Sequence, residues 1–160
     1  MTRRRWALAL FAIIGGAALA APLPVLEVDG AGQRTLALDL GSGFSYEYRQ
    51  SIYDVPVEEH FRVEVGLLRL VRVRSPARAA LEYFRWPGEV RADGEWLSID
   101  PPVAMEEQLT IRIAAGAEQR LRTRPGHLVA LDGVGAEVVR VRAASRPVPV
   151  WVALRLAQED

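Results

Sequence analysis

The chain has 160 residues, the usual size of one domain, and half of them are apolar, which is enough to build a core. Its 20 basic residues are all arginine, they balance 20 acidic residues, and there is no cysteine. Disulfide bonds, thiolate metal sites and cysteine nucleophiles are therefore excluded. Removing Arg3, Arg4 and Arg5 with the first 20 residues leaves 17 arginines against 20 acidic residues, a mildly acidic balance that argues against nucleic-acid binding.

The N-terminal segment predicts export from the cytoplasm. Three arginines precede a stretch, residues 6–26, without a charged side chain. Ala18-Leu19-Ala20 has the small residues of a signal peptidase site, so we expect residues 1–20 to be a signal peptide that is cleaved near Ala20. An inner-membrane anchor through residues 6–26 is the alternative, because a spanning helix needs roughly 20 apolar residues. Both alternatives place the rest of the chain in the periplasm.

The remainder shows the short apolar–polar alternation that is typical of strands. Phe44, Tyr46 and Tyr48 alternate with polar residues, and Asp-Gly pairs at 29–30 and 93–94 mark hairpin turns between such runs. We predict that residues 21–160 form one all-β domain, an antiparallel β-sandwich of about ten short strands, preceded by the signal or anchor helix.

One short helix is expected inside this domain. Ser75 is a suitable N-cap, Pro76 suits the first helical position, and residues 77–84 are good helix formers. Near the C-terminus, alternating apolar residues over 148–156 predict a further strand.

The chain lacks the sequence motifs of common enzymes. It has no G-x-S-x-G, no H-E-x-x-H and no phosphate-binding G-x-x-x-x-G-K-[ST]. Its two histidines, His60 and His127, would need carboxylates distant in sequence to form a metal site. We therefore predict a protein that is not an enzyme and that carries no metal or cofactor.

Glu59 interrupts an apolar strand face. Val57, Phe61 and Val63 share that face, and an unpaired carboxylate is costly to bury. One interpretation is that the strand begins after Glu59, or that Glu59 lies at the end of the sheet and reaches water. The other is that the carboxylate is held in place by Gln50, Ser51 or an arginine. This other interpretation makes Gln50, Ser51 and Glu59 a candidate ligand-binding or structural polar site.

Arginines recur on the polar phase of the later strands. If those strands are neighbours, their outer faces form a basic ribbon; otherwise the arginines belong to a solvated surface interleaved with acids. A tryptophan on the polar phase of the last run would be exposed. The candidate docking surface comprises Trp151, Arg120, Arg122, Arg140 and Arg142.

Residues 50–61, QSIYDVPVEEHF, resemble the bacterial family catalogued as domain of unknown function 1850. Its members show an aromatic strand, a His-Ser pair and then Pro-Val-x-Glu leading into a strand. Tyr46 and Tyr48 resemble the aromatic strand, and the motif is matched by Ser51, Pro56, Val57 and Glu59. Gln50 stands where the family usually has histidine, so this chain is similar to a divergent branch, over roughly residues 26 to 143.

The resemblance also implies a role. Genes of this family tend to lie beside membrane subunits of TAXI-type tripartite ATP-independent periplasmic (TRAP) transporters. The implied function is an exported accessory protein that docks to the TRAP membrane subunit or to its solute-binding protein. The alternative is a periplasmic small-molecule or ion-binding module with its site around Gln50, Ser51 and Glu59.

Overall fold

The computed structural model describes residues 22–30, 33–38, 43–123, 126, 128–147 and 150. The expected signal peptide over residues 1–20, His127 and Trp151 lie outside these residues, and of the alternative anchor over residues 6–26 only 22–26 are described, as part of a strand. Within the described part of the chain, no helix has the length and apolar character needed to cross a membrane.

Strands dominate the described residues. In chain order they are β1 (Pro22–Gly30), β2 (Gln33–Leu38), β3 (Phe44–Gln50), β4 (Val55–Glu64), β5 (Leu67–Ser75), β6 (Arg91–Asp93), β7 (Trp96–Ile99), β8 (Met105–Glu106), β9 (Leu109–Arg112), β10 (Arg120–Thr123), β11 (Leu128–Ala130) and β12 (Val138–Pro147). One α-helix, α1 (Arg78–Glu82), follows β5, and a 3₁₀ turn (Asp132–Val134) precedes β12.

The strands form two antiparallel sheets. The smaller sheet has the order β2-β1-β12-β9, and the larger has the order β11-β10-β3-β4-β5-β7-β6, with β8 pairing to the far end of β5. The predicted all-β, sandwich-like fold with one short helix is therefore confirmed.

The main core lies between the two sheets. Alternate residues of each strand face inward, so an apolar–polar alternation buries one face and leaves the other in contact with water. Each fully buried aliphatic side chain contributes roughly 1.5–3 kcal/mol. The core side chains from the smaller sheet are Leu26, Val28, Ile111, Val139 and Val141, and those from the larger sheet are Phe44, Tyr46, Phe61, Leu68 and Leu121.

A second apolar cluster covers the part of the larger sheet near α1. Ala80 and Leu81 of α1 pack against Val57, Val73 and Ile99. Tyr48 and Leu70 pack against both clusters. The inner face of the larger sheet is thus covered by two groups of side chains that meet along a seam at β3–β5.

The predicted bounds of the helix were wrong. Helix α1 begins at Arg78, with Ala77 at its N-cap, because Ser75 is the last residue of β5 and pairs with Leu97. The Ser75 hydroxyl donates to the Pro56 carbonyl (2.9 Å) and accepts from the Ala77 amide (3.3 Å). The strand predicted over 148–156 lies outside the described residues except for Val150, which is helical and exposed.

Candidate functional site

The three residues of the predicted polar site are spread along one strand pair. Gln50 pairs with Val55 beside the β3–β4 turn, and Glu59 pairs with Tyr46 four positions away, about 13 Å along the strand. Ser51 lies in the turn and is exposed. The structure does not bring these side chains together around one ligand-sized space.

Glu59 lies inside β4 on its inner face, at the seam between the two apolar clusters. Its carboxylate accepts a hydrogen bond from the Tyr48 hydroxyl (3.0 Å), not from Gln50, Ser51 or an arginine. Burial raises the pKa of Glu59 above its usual value, and the hydrogen bond from Tyr48 opposes that rise only in part. Glu59 is therefore a carboxyl group whose surroundings favour its neutral form.

The tyrosines around Glu59 are tightly packed and hydrogen-bonded. The rings of Tyr46 and Tyr48 stack with centroids 4.9 Å apart. The Gln119 side-chain amide donates to the Tyr46 hydroxyl (2.6 Å) and to the Arg112 carbonyl (3.0 Å). Burial raises the pKa of Tyr46 to about 12, so this phenol stays protonated at neutral pH. This row of polar groups stabilises the contact between the two sheets.

Gln50 differs from its neighbours on the inner face. Its side chain is buried, and among the described residues its Oε1 has no hydrogen-bond donor. An unpaired buried carbonyl costs about 1–3 kcal/mol, so this oxygen is a place where a donor would be stabilised.

Two of the predicted docking arginines, Arg120 and Arg122, lie on β10 and hold one buried carboxylate. Arg120 Nε donates to Glu47 Oε2 (2.7 Å) and Arg122 Nε donates to Glu47 Oε1 (2.6 Å), while Glu47 is only 6% exposed. Burial tends to raise the pKa of Glu47, but the hydrogen bonds from Arg122 and Arg120 outweigh it and leave the pKa below its usual value. The cluster keeps one excess positive charge.

The other two, Arg140 and Arg142, lie on β12 in the smaller sheet. Arg142 Nε donates to Glu27 Oε2 (2.7 Å) and Arg146 Nε donates to Glu27 Oε1 (2.8 Å), so Glu27 is held as Glu47 is. The four predicted arginines therefore belong to two sheets and do not form one basic ribbon, as neighbouring strands would have required. Sequence alternation placed each arginine on an outer face but could not say which sheet it joined.

The outer face of the larger sheet contains a groove of about 1040 Å³. It crosses β3, β4 and β5, and the segment after β7 contributes Asp100, Pro101 and Val103 to its wall. Its charged lining comprises Arg62, Arg69, Arg72, Arg74, Arg122, Glu64, Asp93 and Asp100. Among these arginines, only Arg122 was predicted from the sequence as a docking residue. The others were missed because they meet in the groove only through the order of the strands.

One part of the groove is electrically balanced. Arg74 lies 3.2 Å from Glu58 and its Nε lies 3.0 Å from Asp93, and Arg72 lies 3.4 Å from Asp93. His60 Nε2 lies 3.2 Å from Glu58 Oε2. Two guanidinium groups thus share two carboxylates, and this network has no excess charge while His60 is neutral.

A second part of the groove is not balanced. Arg69 donates to both oxygens of Glu64 (3.2 and 3.4 Å). Arg62 is exposed, and among the described residues no carboxylate lies within 4.0 Å of it. The excess positive charge here is therefore concentrated on Arg62.

A metal site finds no support in the described residues, where no three His, Asp or Glu side chains are placed to hold an ion. Protein-family models show no match to the chain, and neither do curated proteins or solved structures. The resemblance to the domain-of-unknown-function family stays an expectation that rests on the motif in β3 and β4. The groove and the placement of its charged residues are therefore the main structural basis for proposing a function.

Proposed function

We propose that the chain is an exported, non-enzymatic docking protein of a TRAP-type uptake system and that it binds its partner through the groove of the larger sheet. The observation that carries this proposal is the groove itself, which has five arginines and three acidic residues in its lining. The family resemblance implies that the partner is the TRAP membrane subunit or its solute-binding protein. The groove is the surface that we propose for binding it.

The groove favours recognition over catalysis. Ser45 pairs with His60 across β3 and β4, and His60 contacts Glu58, which are the residue types of a nucleophile, a base and an orienting acid. However, the Ser45 hydroxyl donates to Glu47 (3.2 Å) and is not directed to the imidazole. The cations of the groove are guanidinium groups, which stay charged at any working pH and transfer no proton.

The charge of the groove selects an acidic partner. Complementary potentials guide association and fix the register of an interface, and guanidinium groups bind carboxylates with two parallel hydrogen bonds. Among the described residues no carboxylate lies within 4.0 Å of Arg62, so it can bind an acidic side chain without breaking an ion pair with any of them. This supports a protein partner that presents aspartate or glutamate.

The start of β1 favours a cleaved signal peptide over an anchor. Pro22–Gly30 is a strand whose Val25 and Leu26 are buried, so only residues 6–21 of the uncharged stretch remain for a membrane helix. These 16 residues are fewer than the roughly 20 that a spanning helix needs. Cleavage near Ala20 would leave β1 intact at the start of a periplasmic protein.

Affinity purification of the tagged full-length protein from detergent-solubilised membranes of its native host tests the proposal. We expect recovery of a TRAP membrane subunit or its solute-binding protein. The charge-reversed variant Arg62→Glu should lose that partner, because it places a carboxylate where the acidic partner binds. Arg112→Glu is the matched control, since Arg112 is an exposed arginine on the outer face of the smaller sheet.

Comparison of the two variants tests the TRAP uptake role and the groove as the binding surface separately. Loss of the partner with Arg62→Glu alone supports both the TRAP role and the groove. Equal recovery with both variants contradicts the groove, and a protein that is recovered without any TRAP component contradicts the uptake role.

Gln50 Oε1, which has no donor among the described residues, favours a second candidate, a small-molecule or ion-binding module with its contact at Gln50. Such a module would bind a ligand that donates a hydrogen bond to Gln50, away from Glu59, which lies about 13 Å along the strand. A solute that raises the Tm of the parent protein should then have no effect on Gln50→Ala, whereas Glu59→Ala should keep the effect. An equal rise in the parent and in Gln50→Ala would exclude this candidate.

A further inference from the structure

Two arginines face each other across β4 and β5 at the unbalanced part of the groove. Arg62 and Arg69 are direct partners in the register, and both lie on the outer face. Opposed residues of an antiparallel pair have Cβ atoms about 5 Å apart, and like charges at such positions are destabilising. Glu64 compensates Arg69 but not Arg62. In the part of the chain that the structure describes, Arg62 is therefore a cation without a neighbouring carboxylate, and it lies beside a second arginine.

The position next to Arg62 on the other side has no side chain. Gly43 precedes Phe44, which pairs with Phe61, so it continues the row that contains Arg62. Gly43 has a φ of 133°, and a Cβ atom there would lie 1.8 Å from the Phe61 carbonyl oxygen. Only glycine fits, because the backbone of Phe61 fills the place of a Cβ atom, and this close approach holds the start of β3 against the row that contains Arg62.

A second excess charge lies across the groove. The next row of the register runs Arg122, Ser45, His60 and Arg72. Arg122 is two strands and two residues away from Arg62, about 12 Å between Cα atoms. Arg62 can turn toward a ligand because its side chain is long and flexible, whereas Arg122 keeps Nε and Nη2 on Glu47 and can offer only its remaining N–H groups.

We infer that Arg62 and Arg69, which line the groove together with Gly43, form a carboxylate-binding site, with Arg122 placed to receive a second carboxylate. This inference deepens the proposed function and rests on it for the role of the groove. The planar guanidinium matches the two oxygens of a carboxylate through two parallel hydrogen bonds, and Arg69 uses only Nη1 for both oxygens of Glu64, which leaves its other N–H groups for a ligand. One excess charge at each cluster suits a monovalent group better than a phosphate dianion.

Carboxylates reach this site from two sources, which have the same chemistry. One is an acidic side chain of a docked protein, and the other is a free dicarboxylate. A six-residue aspartate peptide represents the first source and succinate the second. Inorganic phosphate tests whether the site prefers a dianionic oxyanion.

Isothermal titration of the full-length protein in detergent with these three probes tests the inference. We expect the aspartate peptide or succinate to bind and inorganic phosphate to bind more weakly. Arg62→Gln and, independently, Arg69→Gln should weaken carboxylate binding at least tenfold. Arg112→Gln, on the smaller sheet, should bind with the parent affinity. Unchanged Tm values in the variants show that they are folded.

Each outcome has one meaning. Binding of the peptide alone supports the site and identifies its ligand as a partner's side chains, whereas binding of succinate as well supports the site with a free dicarboxylate. Phosphate binding more tightly than either carboxylate, or an affinity that Arg62→Gln leaves unchanged, overturns the inference. If carboxylates bind through Arg62 but no TRAP component is captured, the site stands and the proposed uptake role fails.

Discussion

Glu47 and Glu59 lie on adjoining strands of one sheet, and they are opposites. Glu47 faces outward, is held by two arginines and has a lowered pKa. Glu59 faces inward, accepts one hydrogen bond from Tyr48 and has a raised pKa. Glu47 is buried and Glu59 is half-buried, so burial alone does not decide the charge of a carboxyl group. The cations and hydrogen-bond donors around it do.

The two faces of the larger sheet therefore differ in what they can recognise. The outer face keeps its charges because each carboxylate lies next to a guanidinium group, and it has arginine in excess. The inner face favours neutral groups and packs them between two apolar clusters. We therefore propose that an acidic ligand is recognised on the outer face, while the inner face stabilises the fold.

The largest expected effect on stability comes from the close approach of Gly43 to the backbone of Phe61, beneath the outer groove. Gly43→Ala places a methyl group 1.8 Å from the Phe61 carbonyl oxygen at a φ of 133°, which forces β3 away from β4. We expect a loss of about 3 kcal/mol or more in the free energy of unfolding, measured in urea. Gly94→Ala is the control: its φ is 67°, no atom lies within 4 Å of the added methyl, and it should cost about 1 kcal/mol. Equal losses would show that the close approach is unimportant.

The next largest effect on stability is expected from removing the outward-facing carboxylate of Glu47. Glu47→Gln removes the negative charge that accepts three hydrogen bonds from Arg120 and Arg122, and it should destabilise the protein at pH 7 by about 2 kcal/mol. Since the folded pKa of Glu47 is lowered, its contribution is present above the unfolded pKa and is lost as the pH falls through the folded value. Urea unfolding from pH 7 to pH 3 should show the parent and variant converging in acid. A constant difference would mean that Glu47 acts through packing.

The inward carboxylate should behave in the opposite way. Glu59→Gln keeps an acceptor for Tyr48 and removes a group that favours its neutral form, so it should stabilise the protein at pH 7 by about 1 kcal/mol. Because the folded pKa of Glu59 is raised, its favourable contribution exists below the unfolded pKa and is lost as the pH rises through the folded value. The advantage of the variant should therefore disappear in acid. A variant less stable than the parent at pH 7 would contradict the assigned environment.

The smallest effect on stability is expected at the proposed site. Arg62→Gln removes an exposed cation that has no carboxylate within 4.0 Å among the described residues, so stability should change by less than about 0.5 kcal/mol. Arg122→Gln loses its bonds to Glu47 and should cost about 1 kcal/mol. Thermal unfolding of both variants checks the order. A larger loss for Arg62→Gln would assign it a structural role.

Sequence alternation predicted the β-rich fold and the inward direction of Glu59, because period-two patterning reports which face of a strand is buried. It did not predict that Tyr48 is the partner of Glu59, since a hydrogen bond to a neighbouring strand depends on register. Helix α1 starts later than its cap signal because β5 extends to Ser75. The groove was missed altogether, as Arg62, Arg69 and Gly43 meet only through the order of β3, β4 and β5.

Mapping of carboxylate binding by ¹H–¹⁵N NMR is the most direct test of the outer face as the recognition surface. Titration of the full-length protein with the aspartate peptide should shift the backbone amides of Gly43, Arg62 and Arg69, on the groove of the larger sheet. Shifts confined to Gln50 and Glu59 would place recognition on the inner face, and shifts confined to β12 would place it on the smaller sheet. Either of these results would contradict the account.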